Sequence, residues 1–289
     1  CERNWLPMSS NQSGTLYVVA TPIGNLADMV PRAVQTLQSV SVIACEDTRH
    51  SKKLLEHFSI DTPCIAYHDH TDQRSANKIL TRLGGGEDVA LISDAGTPLI
   101  SDPGYRLVAQ ARSQGVSVIP IPGACAAISA LSVSGLPTDK FRFVGFLAAK
   151  TAQRKNILET LKSVPDTLVF YEAPHRICAT LKDLIDVFGS DRIAFMAREI
   201  TKTFETYIYG TIGELFEKVS ADSNQQRGEI VLVLAGNVVS NDSLSADAEK
   251  ILKLLIKELP LAKAASLAAK ITGGDKKQLY QLALTLQNK

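Results

Sequence analysis

Five short apolar runs punctuate the first half of the chain, at 16–20, 42–45, 64–67, 89–93 and 116–119, and the first four end in loops of small, acidic or cyclic residues. Such runs are too short for buried helices and read as strands. Helix-like stretches fall between them. Asp28 can cap one that carries Pro31 in its first turn, another stops at Gly84-Gly85-Gly86, and Asp102-Pro103 reads as an N-cap followed by a first-turn proline. The run at 89–93 is apolar on both faces, as a central parallel strand should be. A small-residue helix is expected from Gly123 to about Ser134. Strand alternating with helix predicts an α/β fold with a doubly wound parallel sheet over 14–135.

Gly135-Leu136-Pro137-Thr138 reads as a hinge, and the pattern changes beyond it. Strand-like runs at 141–146, 167–171, 193–197, 206–209 and 229–234 have only two or three helices between them. They predict a second, α+β domain with a mixed sheet over 136–240. Residues 239–243 form a polar linker. The tail, 241–289, is helical in pattern: Leu279, Leu282, Ala283 and Leu286 recur at helical spacing, and Gly273-Gly274-Asp275 supplies a stop and a new cap. It reads as a small helix-turn-helix-like appendage.

Composition narrows the function. The 289 residues are 45% hydrophobic, enough for two cores, and 31 basic residues against 30 acidic leave a net charge of +1. A nucleic-acid partner would therefore need a local basic patch. From Pro260 onward five lysines face one acid, which is either such a patch or the solvated face of a helical bundle. No apolar run approaches the ~18 residues that span a membrane. The opening Cys1-Glu2-Arg3-Asn4-Trp5-Leu6-Pro7 lacks the apolar region of a signal peptide. Met8 reads as the natural start, residues 1–7 as an upstream extension, and 1–13 as a disordered N-terminal segment. Five scattered cysteines without a C-x-x-C pair argue against a disulfide scaffold and a metal site. A cytoplasmic protein is expected.

In a parallel sheet, ligands bind outside the carboxyl ends of the strands. The richest loop there is Ser93-Asp94-Ala95-Gly96-Thr97-Pro98-Leu99-Ile100-Ser101-Asp102-Pro103-Gly104. It lacks the lysine of a phosphate loop, and the chain has no G-x-G-x-x-G, so a phosphate ligand is disfavoured. Carboxylates and exposed carbonyls suit a ligand with a cationic centre and hydroxyls. S-adenosylmethionine, with its sulfonium, ribose diol, amine and carboxylate, fits that description.

Seven motifs in order, Thr21-Pro22-Ile23-Gly24-Asn25-Leu26, Glu46-Asp47-Thr48-Arg49, the 93–104 loop, Pro120-Ile121-Pro122-Gly123, Phe170-Tyr171-Glu172-Ala173-Pro174-His175-Arg176, Ala197-Arg198-Glu199-Ile200-Thr201-Lys202 and Gly228-Glu229-Ile230-Val231-Leu232, carry a resemblance. From about residue 14 to its end the chain resembles the bacterial small-subunit rRNA methyltransferases of the tetrapyrrole methylase (class III) superfamily. The resemblance implies S-adenosylmethionine-dependent 2′-O-methylation of a cytidine ribose in 16S rRNA of the small ribosomal subunit. It also implies a homodimer with the cofactor folded into the cleft between domains. The wider superfamily carries a G-x-G-x-G-D motif after the first strand. The Thr21–Leu26 segment here departs from it, which points away from corrin and porphyrin substrates and towards RNA. A tetrapyrrole or precorrin methylase and a non-catalytic RNA-binding assembly factor are the competing readings.

The expected cofactor contacts are Pro22, Ser93, Asp94, Ala95 and Gly96, with Ala124 and Ala126 leaving room for the methionine part and Tyr171, Glu229 and Ile230 closing the site. For Ala124 and Ala126 plain helix–sheet packing is the alternative, and for Tyr171 an ordinary core position. Methyl transfer is an in-line displacement in which positioning can supply much of the rate. A weakly acidic ribose hydroxyl would gain from a nearby base or cation. Glu46, Arg49 and His68 are the catalytic candidates, alongside Asp47, His50, Asp69 and His70. Arg49, His50, His175, Arg176, Arg198, Lys202, Lys276 and Lys277 are candidates for RNA contact, with Arg227 completing a basic rim and Lys150, Arg154 and Lys155 a further cluster.

Overall fold

The computed structural model describes residues 13–67, 73–237 and 246–287. The first half alternates β1 (Thr15–Val19), α1 (Pro31–Ser39), β2 (Val42–Cys45), α2 (Thr48–His57), β3 (Cys64–Ala66), α3 (Gln73–Gly84), β4 (Val89–Leu91), α4 (Tyr105–Ser113), β5 (Ser117–Ile121) and α5 (Ala126–Val133). The strands form one parallel sheet in the order β3-β2-β4-β1-β5. Val89, Ala90 and Leu91 of β4 are buried. Val89 and Leu91 pack with Ile79, Leu83 and Leu107 of α3 and α4, while Ala90 packs with Ala33, Leu37 and Leu55 of α1 and α2. The sheet is therefore doubly wound, with α1 and α2 on one face and α3 and α4 on the other.

Two helix starts differ from the sequence reading. Asn25, rather than Asp28, caps a short 3-10 turn at Leu26–Asp28, and α1 begins at Pro31 with no side-chain cap. Asp102 does not cap α4, whose N-cap is Gly104 at φ 133°.

The second half comprises β6 (Phe141–Phe146), α6 (Thr151–Leu161), β7 (Thr167–Glu172), α7 (Ile177–Phe188), β8 (Ile193–Arg198), β9 (Thr206–Thr211), α8 (Ile212–Ala221) and β10 (Ile230–Leu234). Its sheet runs β6-β7-β10-β8-β9 and is mixed, with β6 parallel to β7 and the other pairs antiparallel. Val169, Phe195, Val231 and Val233 face Ala127, Ala130 and Leu131 of α5. The helix that leaves the first sheet thus packs on the second. The neighbouring Leu168, Phe170, Met196, Leu232 and Leu234 are buried on the opposite face. A Thr211–Glu214 capping box starts α8.

Both sheets belong to one compact unit. A second unit holds α9 (Ala246–Leu255), α10 (Leu261–Thr272) and α11 (Lys276–Gln287). Its core is Leu252, Ala264, Ala268, Leu279 and Ala283. Gly273 ends α10 in the left-handed region at φ 71°, and the Gln278 N–H donates to Asp275 Oδ1 at 2.8 Å to start α11. Among the described residues no helix is long and apolar enough to cross a membrane.

Candidate active site

The chain leaves β1 towards β2 and leaves β4 towards β5, on opposite sides of the sheet, so their loops part and open a crevice at the carboxyl ends. Backbone pairing stitches that crevice into a floor. The Thr21 N–H donates to the Gly96 carbonyl at 2.9 Å, and the Gly96 N–H returns to Thr21 at 3.1 Å. Buried Ser93 donates to the Ala95 carbonyl at 3.2 Å, and Thr97 to the Ala124 carbonyl at 2.9 Å. The Asp47 N–H donates to Asp94 Oδ1 at 3.2 Å. The Asp47 carboxylate meanwhile caps α2 by accepting from the Arg49 and His50 N–H groups, which hold it below the usual carboxylate range. These bonds tie four loops together.

The backbone of that floor takes conformations that restrict its residues. Gly96 sits at φ +80°, where an added Cβ would come within 3.1 Å of Ile23 Cγ2. Leu99 and Ser101, at φ 73° and 66°, occupy the left-handed region without being glycine. Each costs on the order of 1 kcal/mol and persists only where surrounding contacts over-determine the loop.

Above the floor lies a cleft of about 450 Å³, inside the range of small-molecule sites. Asp94, Ala95, Gly96 and Ala126 line one side, and Tyr171, Glu229 and Ile230 the other. The Tyr171 hydroxyl accepts from the Ala127 N–H at 3.2 Å, and its ring meets Phe143 and Phe146 edge-on. Burial raises this phenol well above its ordinary range, which keeps it protonated. Glu46 and Asp102 line the same cleft as Asp94. Burial pushes the Asp102 carboxyl up to about 6, with Glu46 and Asp94 adding repulsion against the lowering effect of the Ser93 hydroxyl. Asp102 was missed as a site residue because its sequence neighbours read as a helix cap. The other acid of the same loop, Asp94, was the available signal.

A second cavity, about 280 Å³, adjoins the first and shares Ile23, Asp94, Ala95 and Glu229 with it. Pro22 and Ser93 line it together with three basic side chains, His50, Lys53 and Lys202. Lys202 lies across Gly24, where a Cβ would overlap its Cγ. Its Nζ bridges Glu199 at 2.9 Å and Glu229 at 3.0 Å. Burial alone would lower the Lys202 pKa, but these two carboxylates raise it above the ordinary lysine range.

The other expected residues are dispersed. Arg49 is exposed on the first turn of α2, and His175 is exposed at a 3-10 turn after β7. His68, Asp69 and His70 lie outside the described residues. Ala124 contributes its carbonyl to the floor. Arg176 is tied to buried Glu172, its Nε donating at 3.0 Å. Lys276 and Lys277 are exposed at the start of α11. Two arginines read as surface cations are buried instead. Arg198 is 7% exposed, its guanidinium spent on the Arg227 and Phe204 carbonyls and the Thr206 hydroxyl. Arg154 is 2% exposed and donates to Asp183 at 2.7 Å.

The residues present fit the expected cofactor. Among the carboxylates that line the cleft, Glu46, Asp94 and Asp102 interact, and burial and mutual repulsion already disfavour one charge, a surplus that a cationic ligand relieves. The small side chains of Ala95, Gly96 and Ala126 leave backbone open to a flat ligand.

A cleft at a doubly wound sheet's switch point, closed by a second, mixed sheet, defines a class of methyltransferase. The family model described as Tetrapyrrole (Corrin/Porphyrin) Methylases matches residues 15–216, and that described as RsmI C-terminal HTH domain matches 242–287. A similar solved structure is uroporphyrin-III-C-methyltransferase from Thermus thermophilus, with a TM-score of 0.54 and 18% identity over 77% of this chain and 94% of that one. Curated relatives carry the name ribosomal RNA small subunit methyltransferase I. The one from Pseudomonas aeruginosa is 54% identical over 96% of this chain and 99% of its own length, and that from Escherichia coli O157:H7 is 49% identical over 96% and 98%. The chain belongs to the tetrapyrrole methylase family, in the branch formed by these ribosomal RNA small subunit methyltransferases. It is a methyltransferase, and S-adenosylmethionine is the methyl donor of its family.

Proposed function

We propose that the protein 2′-O-methylates a cytidine ribose in 16S rRNA of the small ribosomal subunit. The observation that carries this reading is the pair of adjoining cavities. The larger, acid-lined one suits the cationic donor. The smaller adds His50, Lys53 and Lys202 to the Asp94 and Glu229 it shares with the larger, and those basic groups suit an anionic acceptor such as a nucleotide. The names of the curated relatives point the same way.

The bound cofactor supplies an electrophilic methyl group. The chain's own residues do the rest. Asp94, Asp102 and Glu46 attract the donor's positive charge, and Gly96, Ala95 and Ala126 admit it close to the backbone. Tyr171, held by Ala127, limits water at the far wall. Glu46, which lines the cleft, is the described candidate for taking the ribose proton, with His68 and Arg49 the further candidates. The exposed Lys276 and Lys277, in a unit of their own, supply a separate basic surface for rRNA. Exposed Ile128 and Val133 of α5 and Tyr209 of β9 offer an apolar face for a homodimer. A cytoplasmic location follows from the ribosomal substrate.

The test is transfer of labelled methyl from S-adenosylmethionine to small subunits from cells lacking the activity, followed by nucleoside analysis. Label in 2′-O-methylcytidine is expected. Label on a base, or transfer to a tetrapyrrole in place of RNA, would refute the reading.

A further inference from the structure

The loop between β8 and β9 is tied at many of its polar groups and yet presents a bare aromatic ring. Phe204 is 75% exposed, more than any other large apolar side chain among the described residues. Glu199 and Thr201 sit at φ 53° and 68°, strained for residues with a Cβ. The surroundings hold them there. The Thr201 N–H donates to Glu205 Oε2 at 2.9 Å, the Lys202 N–H to the Glu199 carbonyl at 3.0 Å, and the Glu229 N–H to Glu199 Oε1 at 2.8 Å.

Buried Arg198 completes the frame. Its Nη2 donates to the Phe204 carbonyl at 2.8 Å and to Thr206 Oγ1 at 2.9 Å, while Nη1 donates to the Arg227 carbonyl at 3.4 Å. One guanidinium therefore fixes the backbone of an exposed aromatic and that of an exposed cation, Arg227. Neither lines either cavity, but each lies in sequence near a residue that does. Lys202, two residues before Phe204, lines the smaller, and Gly228, next to Arg227, lines the larger. Consecutive Cα atoms are 3.8 Å apart, so Phe204 starts within about 8 Å of Lys202.

We propose that Phe204 and Arg227 form a subsite for a nucleotide flanking the acceptor in a single-stranded stretch of RNA. The base stacks on Phe204, the neighbouring phosphate pairs with Arg227, and Arg198 is the positioning residue. The proposal rests on the RNA reading above. Single-stranded RNA is held by stacking unpaired bases on aromatic rings, and stacking tolerates any sequence because every base has a π-face. A cation whose backbone is held by the same guanidinium as that of the ring favours an anionic, aromatic ligand over an apolar protein surface.

Wild type, Phe204→Ala, Phe204→Trp, Arg227→Ala and Arg198→Lys are compared on small subunits lacking the methyl group. Phe204→Ala is expected to raise KM for subunits about tenfold, with kcat and the calorimetric affinity for S-adenosylmethionine unchanged, and Phe204→Trp to restore KM. Arg198→Lys keeps the charge but loses the fork, and should raise KM in the same way without moving kcat. Arg227→Ala should reduce the slope of log affinity against log potassium chloride by about 0.7, one single-strand phosphate. If wild type methylates subunits and Phe204→Ala matches its KM, the subsite is wrong and the RNA reading stands. A change in sedimentation of free Phe204→Ala enzyme would assign the ring to contact with a second copy and overturn the subsite. If wild type transfers no methyl to subunits, both readings fall.

Discussion

Lowering the pH from 7 to 5 should weaken cofactor binding about tenfold, and Asp102 should carry the effect. Its carboxyl is raised from 3.8 to about 6, chiefly by burial, so the fold holds the neutral form more readily than water does. A cationic ligand reverses that preference and draws the site towards the carboxylate. With a pKa of about 6, roughly nine-tenths of the sites are ionised at pH 7 and roughly one-tenth at pH 5, and apparent affinity scales with the competent fraction. Calorimetry with S-adenosylmethionine at pH 5, 6 and 7, in two buffers of different ionisation enthalpy, measures both the loss and the proton released. Wild type should bind about tenfold more weakly at pH 5 and release close to one proton there. Asp102→Asn should bind weakly with little pH dependence. A flat wild-type profile, or the same slope in Asp102→Asn, would refute the reasoning. The sign for stability follows from the same shift. The contribution of neutral Asp102 is fully present below 3.8 and lost as pH rises through about 6. Asp102→Asn should therefore unfold at no lower urea concentration than wild type at pH 7.

Three further outcomes are expected. Gly96→Ala places a Cβ at φ +80° and 3.1 Å from Ile23 Cγ2. It should cost about 1 kcal/mol of stability and weaken cofactor binding at least fivefold, read by thermal melting and calorimetry. Arg154→Ala leaves buried Asp183 with only the longer Lys155 contact at 3.6 Å and should lose about 3 kcal/mol in urea unfolding, whereas Arg154→Met combined with Asp183→Leu should recover most of that loss. Truncation after Asn237 removes α9–α11, which belong to a compact unit of their own. The shortened chain should keep its affinity for S-adenosylmethionine and lose at least tenfold in methyl transfer to subunits.

The parallel sheet was legible because its evidence is local. The 89–93 run had to be buried on both faces, and β4 is packed from both sides. The tail was legible for the same reason: Leu279 and Ala283, four residues apart, are both fully buried. What stayed hidden depends on partners distant in sequence. Asp102 obeys a capping rule on paper, but Gly104 starts the helix and the carboxyl meets Glu46 and Asp94 instead. Arg154 and Arg198 looked like surface cations because a charge is usually solvated. Their partners, Asp183 and the Arg227 carbonyl, each lie 29 residues away. Helix α5 was expected to follow the first sheet, yet its small residues fit against Val231 and Val233 of the second.

The acidic lining of the larger cavity bears on how the enzyme would gain rate. Carboxylates that attract the donor's positive charge hold the charged ground state more firmly than a transition state in which that charge is fading, and such interactions raise affinity without raising kcat. Asp94 and Asp102 are then devices for binding. Rate has to come from holding acceptor oxygen and methyl carbon in line, for which effective concentrations are large. The structure is built for that: the Thr21–Gly96 pairing and the Ser93 and Thr97 hydroxyl bonds brace the floor beneath the cleft. Loss of Asp94 or Asp102 should therefore appear mainly in cofactor affinity. Loosening the Thr21–Gly96 stitch, which leaves every acid in place, should appear mainly in kcat.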